Sequence, residues 1–303
     1  MPWPLQRICW QGIQFDHPAD WELTRFSGPG EPGRCLLADR YFQRLDVRWQ
    51  VLNFAPRLEL LIEKYRKNDT EDSRSVPLEG GPAPWQGLLR RTPKGSFIQA
   101  ARMCPQQRLL VEATIVWPET RQVELERAIL ASIAVMPPGP TQLWQAMGLS
   151  ATIPGDYQLR GVSAKVGRIR WEFVAGKKTL PRIAVERIAL PEYWLKGPLR
   201  DWVAEELPPR HEPQRQELAL WGNHRGQQLI SRASAGTLAW LRGRRRIRLD
   251  MAWQCELENR VYHLEFEKIS TDSDVVLPEL LAVHCCRQGP VSDSVSRREL
   301  PTR

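Results

Sequence analysis

The chain has 303 residues, 42% hydrophobic and 26% charged, which excludes a disordered polyelectrolyte and leaves room for two cored domains. Its net charge of +8 favours acidic partners such as nucleic acid, an anionic protein surface or a membrane surface. Only eight of the 43 basic residues are lysine, and arginine suits bidentate phosphate or carboxylate recognition. The opening "MPWPLQRICWQG" has neither the apolar run nor the cleavage site of a signal peptide. No stretch approaches the roughly eighteen apolar residues of a membrane span. Six cysteines without CxxC spacing fit free thiols in a reducing cytoplasm.

Short extended pieces are predicted around Ile8–Phe15 and Trp21–Phe26, then a turn-rich "SGPGEPGR". Leu45, Val47, Trp49 and Val51 alternate with Arg44, Asp46, Arg48 and Gln50, the period of a half-buried strand. Leu58, Leu61, Ile62 and Tyr65 then form one helical stripe. A polar loop, "NDTEDSRSVPLEGGPAP", leads to the strands "WQGLLRRT", "SFIQAARMC" and "RLLVEATIVW". "ETRQVELERAILASIAV" reads as a closing helix with Leu125, Ile129 and Ile133 inward. "MPPGP" cannot continue it and reads as a linker.

The second half replays this order. "GIQFDHPADWEL" from Gly12 and "GLSATIPGDYQL" from Gly148 align without a gap, pairing Pro18 with Pro154, Asp20 with Asp156 and Leu23 with Leu159. "RIAVER" matches "RLDVRW", and "PLRDWVAEEL" supplies a helix. Cys104 falls on Cys255, with Val111, Ala113 and Ile115 over Tyr262, Leu264 and Phe266, so strand parity is kept. "DVVLPELLAVHCC" falls on the first half's closing helix. The offset grows from 136 (Gly12 to Gly148) to 151 (Cys104 to Cys255), so the second copy holds about one extra hairpin. The expected fold class is α+β: two tandem copies of an antiparallel sheet packed by helices, an α/β sandwich. The copies span 1–137 and 138–286, with a polar, aperiodic tail over 287–303 read as flexible.

The phrase Pro-x-Asp-Trp/Tyr-x-Leu, followed in each half by Gly-rich turns, an alternating strand, a helix, a long loop, a meander and a final helix, resembles the Mog1/PsbP-like fold. The resemblance implies a largely non-catalytic role in binding or assembly, and it assigns no site residues.

Chemistry-bearing patterns are few. "AWLRGRRRIRLDMAWQ" concentrates Arg242, Arg244, Arg245, Arg246 and Arg248 beside Trp240 and Trp253, a candidate surface for nucleic acid or another anionic partner. Alternation sends Ile247, Leu249, Met251 and Trp253 inward, and the competing expectation is a solvated charged face over core tryptophans. "HCC" at His284–Cys286, with Cys255 and His263, suggests a metal. Adjacent ligands on one strand or helix diverge, however, and His263 is expected in solvent, so no metal and no cofactor are expected. Asp20 and Asp156 fit turn chemistry better than a catalytic pair. No nucleophile elbow, phosphate loop, dinucleotide fingerprint or H-E-x-x-H is present, and no catalytic residue is assigned. The leading expectation is a non-catalytic binding or adaptor protein acting in macromolecular assembly, its partner a protein or an acidic macromolecule. The rival readings are a nucleic-acid binder using the arginine strand and an enzyme with a site between the two copies.

Overall fold

The computed structural model describes residues 4–54, 56–67, 73–176, 179–234, 244–271 and 275–286. Of the described residues 56% are strand and 13% helix, in three antiparallel sheets. This corrects the α+β expectation: the fold is β-rich, and its helices are short accessories rather than layers that cover sheets. The helical stripes are real but brief, forming α1 (Leu58–Arg66), α2 (Val123–Ser132), α3 (Pro191–Trp194) and α4 (Leu199–Glu205). The second closing helix is absent among the described residues: Val275–Leu281 is irregular and Ala282–His284 is a strand. Pro278 lacks the N–H a helix interior needs, and Val275, Val276 and Val283 favour extended backbone. No helix of the described residues is long and apolar enough to cross a membrane.

The described residues divide into two compact units, one from Met1–Ser163 with Trp171–Lys178, the other from Ala164–Arg170 with Thr179–Arg303. In the first unit, β1 (Leu5–Trp10), β2 (Ile13–Pro18), β10 (Ala134–Val135), β11 (Thr141–Ala146) and β12 (Leu149–Pro154) lie in the order β10-β2-β1-β11-β12. A second sheet contains β3 (Glu22–Phe26), β4 (Gly33–Ala38), β5 (Gln43–Val51), β6 (Arg74–Pro77), β7 (Gln86–Thr92), β8 (Gly95–Cys104) and β9 (Leu109–Trp117), ordered β3-β4-β5-β9-β8-β7-β6. The hairpin β13 (Tyr157–Lys165) and β14 (Arg168–Ala175) has residues in both units. The second unit holds β15 (Arg182–Ala189), β16 (Glu212–Trp221), β17 (His224–Ser234), β18 (Arg245–Cys255) and β19 (Arg260–Ser270), ordered β15-β19-β18-β17-β16, and the short β20 (Ala282–His284). That order matches β5-β9-β8-β7-β6.

The repeated phrase builds two hairpins of one design. β11 and β12 begin and end 136 residues after β1 and β2. The turns Gln11–Gly12 and Met147–Gly148 have positive φ at both positions, the mirror-image turn whose twist suits a two-residue hairpin. β1 and β11 pair antiparallel with Cys9 opposite Gln145, a residue facing its own counterpart. Asp20 and Asp156 are exposed in the turns that follow. The register of the longer strands repeats too: Leu45, Val47 and Trp49 face Ile115, Ala113 and Val111, while Ile183, Val185 and Arg187 face Phe266, Leu264 and Tyr262.

The first unit's core gathers on Trp10, which is fully buried and packs edge-on against Trp144, Trp171 and Phe26 at 5.2, 5.5 and 5.4 Å. Its indole donates to the Ser27 carbonyl at 3.1 Å, so the large ring is buried without stranding its N–H. Because Gly12 has φ +81 and Gly148 φ +71, replacing either with alanine should destabilise the protein by about 1 kcal/mol, read as a lowered denaturant midpoint.

Candidate functional site

The strands β18 and β19 carry alternating charges. Arg246, Arg248 and Asp250 share one face of β18, and His263, Glu265 and Glu267 the matching face of β19, with Arg248 opposite Glu267 and Asp250 opposite Glu265. β15 adds Glu186 opposite His263 and Arg182 opposite Glu267. This face is not solvated: Arg248, Asp250, His263, Glu265, Glu267 and Glu186 are all buried. The expected placement of Asp250, Arg248 and His263 toward water is therefore corrected. The reason is α4, which packs on β17 and β18 with Val203 against Leu229 and Ala252. Trp202 meets the His263 ring edge-on at 5.3 Å.

Buried charges persist only when paired and hydrogen-bonded. Arg248 donates twice to Asp250, at 2.7 and 2.6 Å, and lies 3.2 Å from Glu265. Arg170 makes a two-pronged contact with Glu265, one bond at 2.9 Å. Arg168 likewise grips Glu186 and reaches Glu206 at 3.2 Å. Glu267 accepts from Arg246 at 2.7 Å and lies 3.2 Å from Arg182. His263 Nε2 sits 2.9 Å from Asp250, and its Nδ1 lies 3.8 Å from Glu186 and 3.7 Å from Glu265. Burial alone would lower the His263 pKa, but Asp250, Glu186 and Glu265 raise it to about 9, so the ring is cationic at neutral pH. Burial would push the Glu265 carboxyl up, yet Arg170, His263 and Arg248 hold it well below the usual range. Glu186 is lowered against the same burial cost by His263 and Arg168.

The arginines predicted as an anion surface are thus divided. Arg248 is consumed inside the network, and Arg246 is half-exposed and tied to Glu267. Arg244 and Arg245 are exposed, and Arg242 lies outside the described residues. At the network's rim, Arg246 joins Arg182, Arg210, His211, Ala233 and Glu267 around a cavity of about 410 Å³. His211 holds Ser231 at 3.2 Å, and burial lowers its pKa despite Glu267 nearby, which leaves it neutral at pH 7. The cavity therefore carries net positive charge on three arginines against one carboxylate. Sequence reasoning missed Arg170, Arg182, Glu186, Glu265 and Glu267. The usable signal was charge of complementary sign at alternate positions on consecutive strands, which a solvated face does not require.

A second feature is the edge strand β16. Among the described residues it pairs only with β17. Leu218 and Leu220 stand outward, 78% and 71% exposed. Pro213 and a register shift between Pro213 and Arg215 disrupt its first part, while Gln216–Trp221 pairs regularly with Leu229–His224. Prolines, bulges and charges commonly protect open edges, and the second part has little of that protection.

Known proteins add little. No family model matches the chain, and no curated protein matches it. Among solved structures, the apo structure of immunity protein TplEi of T6SS from Pseudomonas aeruginosa is similar at 15% identity and a TM-score of 0.35, over 86% of this chain and 87% of that one. A likeness this low decides neither fold nor function, and no comparison supports the Mog1/PsbP-like resemblance.

Replacing Arg248 with methionine should destabilise the protein by about 3–5 kcal/mol, because it removes the buried guanidinium shared by Asp250 and Glu265 and leaves them to His263 and Arg170 alone. Equilibrium unfolding in urea measures this. For His263 the folded pKa near 9 exceeds the free value of about 6.5, so its stabilisation is complete below about pH 6.5 and is lost as pH rises toward 9. Unfolding free energy measured across that window should fall, and H263Q should flatten the slope.

Proposed function

We propose that this protein is a non-catalytic binding or adaptor protein for macromolecular assembly, and that it engages a partner protein by adding an extended segment of that partner to β16. The carrying observation is the regular run Gln216–Trp221, apolar from Leu218 onward, on an open sheet edge, with Leu218 and Leu220 outward. Strand addition takes affinity from main-chain hydrogen bonds and specificity from alternate side chains, both of which this edge offers. The edge at the corresponding end of the first unit's sheet is different: β6 has four residues and ends in Pro77. The ten-residue β16 is where the two halves diverge most usefully for binding.

We further propose that the chain is a duplication, with copies over 1–137 and 138–286 and a tail over 287–303. The constant 136-residue offset of the hairpins and the matched strand orders support it. The six cysteines, all free, suit the reducing cytoplasm to which we assign the protein.

A second reading rests on the cationic cavity and the exposed Arg244 and Arg245, which would receive an anionic group of a partner. One experiment separates the readings. Immobilised full-length protein is used to capture partners from extract of the native host, beside L218K/L220K and R210E/R244E variants of unchanged melting temperature. Loss of the captured protein only with L218K/L220K supports the edge reading. Loss only with R210E/R244E, with capture weakening steeply in salt, selects the cavity instead.

A further inference from the structure

Three loops of the second unit bring thiols and an imidazole to one point. His224 opens β17 just after the β16–β17 turn, Cys255 ends β18, and Cys285 and Cys286 follow β20. One ligand atom from each of these four residues lies within 4.8 Å of all the others. Four zinc ligands at about 2.3 Å to sulfur would place sulfurs about 3.8 Å apart, so this spacing needs only small adjustment. We propose that His224, Cys255, Cys285 and Cys286 form a structural, tetrahedral Cys3His zinc site.

The objection that neighbouring cysteines diverge holds on a strand or helix. Here the pair lies beyond the end of β20, and Cys286 has φ +34. That left-handed backbone, uncommon for a residue with a side chain, turns the second sulfur back toward the first. His224 Nε2 already lies 3.4 Å from Cys286 Sγ. His284, the histidine of the "HCC" string, is not in the group; the ligand histidine comes instead from a different hairpin.

The surroundings fit a bound metal. Trp253 donates its indole N–H to Cys285 Sγ at 3.2 Å, the sort of outer bond that steadies a thiolate ligand. Glu258, from the turn after Cys255, accepts the Cys286 backbone N–H and the Tyr262 hydroxyl, which fixes the position of the cysteine pair. Trp221, Trp253 and Tyr262 stack beside it, with centroids 4.9 and 5.6 Å apart, and Trp221 donates to the Val283 carbonyl at 2.8 Å. Four protein ligands leave no open position, which is the arrangement of a structural rather than a catalytic zinc. The other converging trio, Asp250, His263 and Glu265, differs in kind: its oxygens are already taken by Arg248 and Arg170, so a cation there would be redundant.

The test uses the full chain, purified under reducing conditions without chelator. Elemental analysis should find near-stoichiometric zinc. Exchange for Co(II) should give the thiolate-to-cobalt charge-transfer and tetrahedral ligand-field bands. C255S and C286S should lose both signals, whereas C104S and H284A should keep them. H224C should retain metal and strengthen the charge-transfer band by supplying a fourth sulfur, a result that a merely structural histidine would not give. Chelation should lower the melting temperature, and added zinc should restore it. Absence of both stoichiometric metal and cobalt bands in the wild-type chain overturns the proposal, as does undiminished metal in C255S or a Cys285–Cys286 disulfide that persists in reductant.

Discussion

The second unit depends on an acidic sheet face that is buried rather than solvated. Glu186, Asp250, Glu265 and Glu267 stand on three neighbouring strands beneath α4, and ordinary desolvation would forbid such a cluster. Arginines entering from β14, β15 and β18, with a protonated histidine, make it tolerable. Strand register is thereby specified twice, by apolar residues on one face and by charge order on the other. A one-residue slip would set both in conflict.

The first unit solves a smaller version of the problem. There two carboxylates are buried among the described residues: Asp46, held by Arg34 at 2.9 and 2.7 Å and by Arg48 at 3.1 and 2.7 Å, and Glu126, held by Arg121 at 2.9 and 2.6 Å. Its core relies instead on aromatic packing around Trp10. The arginine excess of the whole chain thus has an internal use in both units: planar guanidinium groups match carboxylates two bonds at a time, which lysine cannot do. Many of the arginines that composition offers to an outside partner are engaged by carboxylates within the protein, while the net charge of +8 remains.

The sequence was readable where one face meets one solvent. The alternation Leu45–Trp49 and the stripe Leu58–Tyr65 each have a local cause and appear where their periods indicate, although Val51 at the strand end is exposed and Asp46 is buried; the turn at Gly12 interrupts a piece expected to be extended. It was unreadable where burial depends on a distant element. Nothing in "RRRIRLDMAW" announces that a seven-residue helix more than forty positions earlier will cover its charged side. The fold class failed for a related reason. Helical periodicity marked real but short helices, and the β-branched stretch ending in "AVHCC" carries apolar residues in a pattern that fits either state. Among chemical groups, Cys255, Cys285 and Cys286 were read together, but with His263 and His284 rather than with His224. Their meeting with His224 needed three separate turns, which local spacing does not encode.

The pairing of Cys9 with Gln145 has one more consequence. A strand that meets its counterpart in antiparallel fashion forms a self-complementary joint, of the kind two separate molecules would make about a twofold axis. Two free molecules must find each other at whatever concentration the cell supplies. Carried on one chain, the two edges see each other at an effective concentration on the order of millimolar. The joint can therefore remain closed with few hydrogen bonds between its strands, and its sequence is free to diverge on either side.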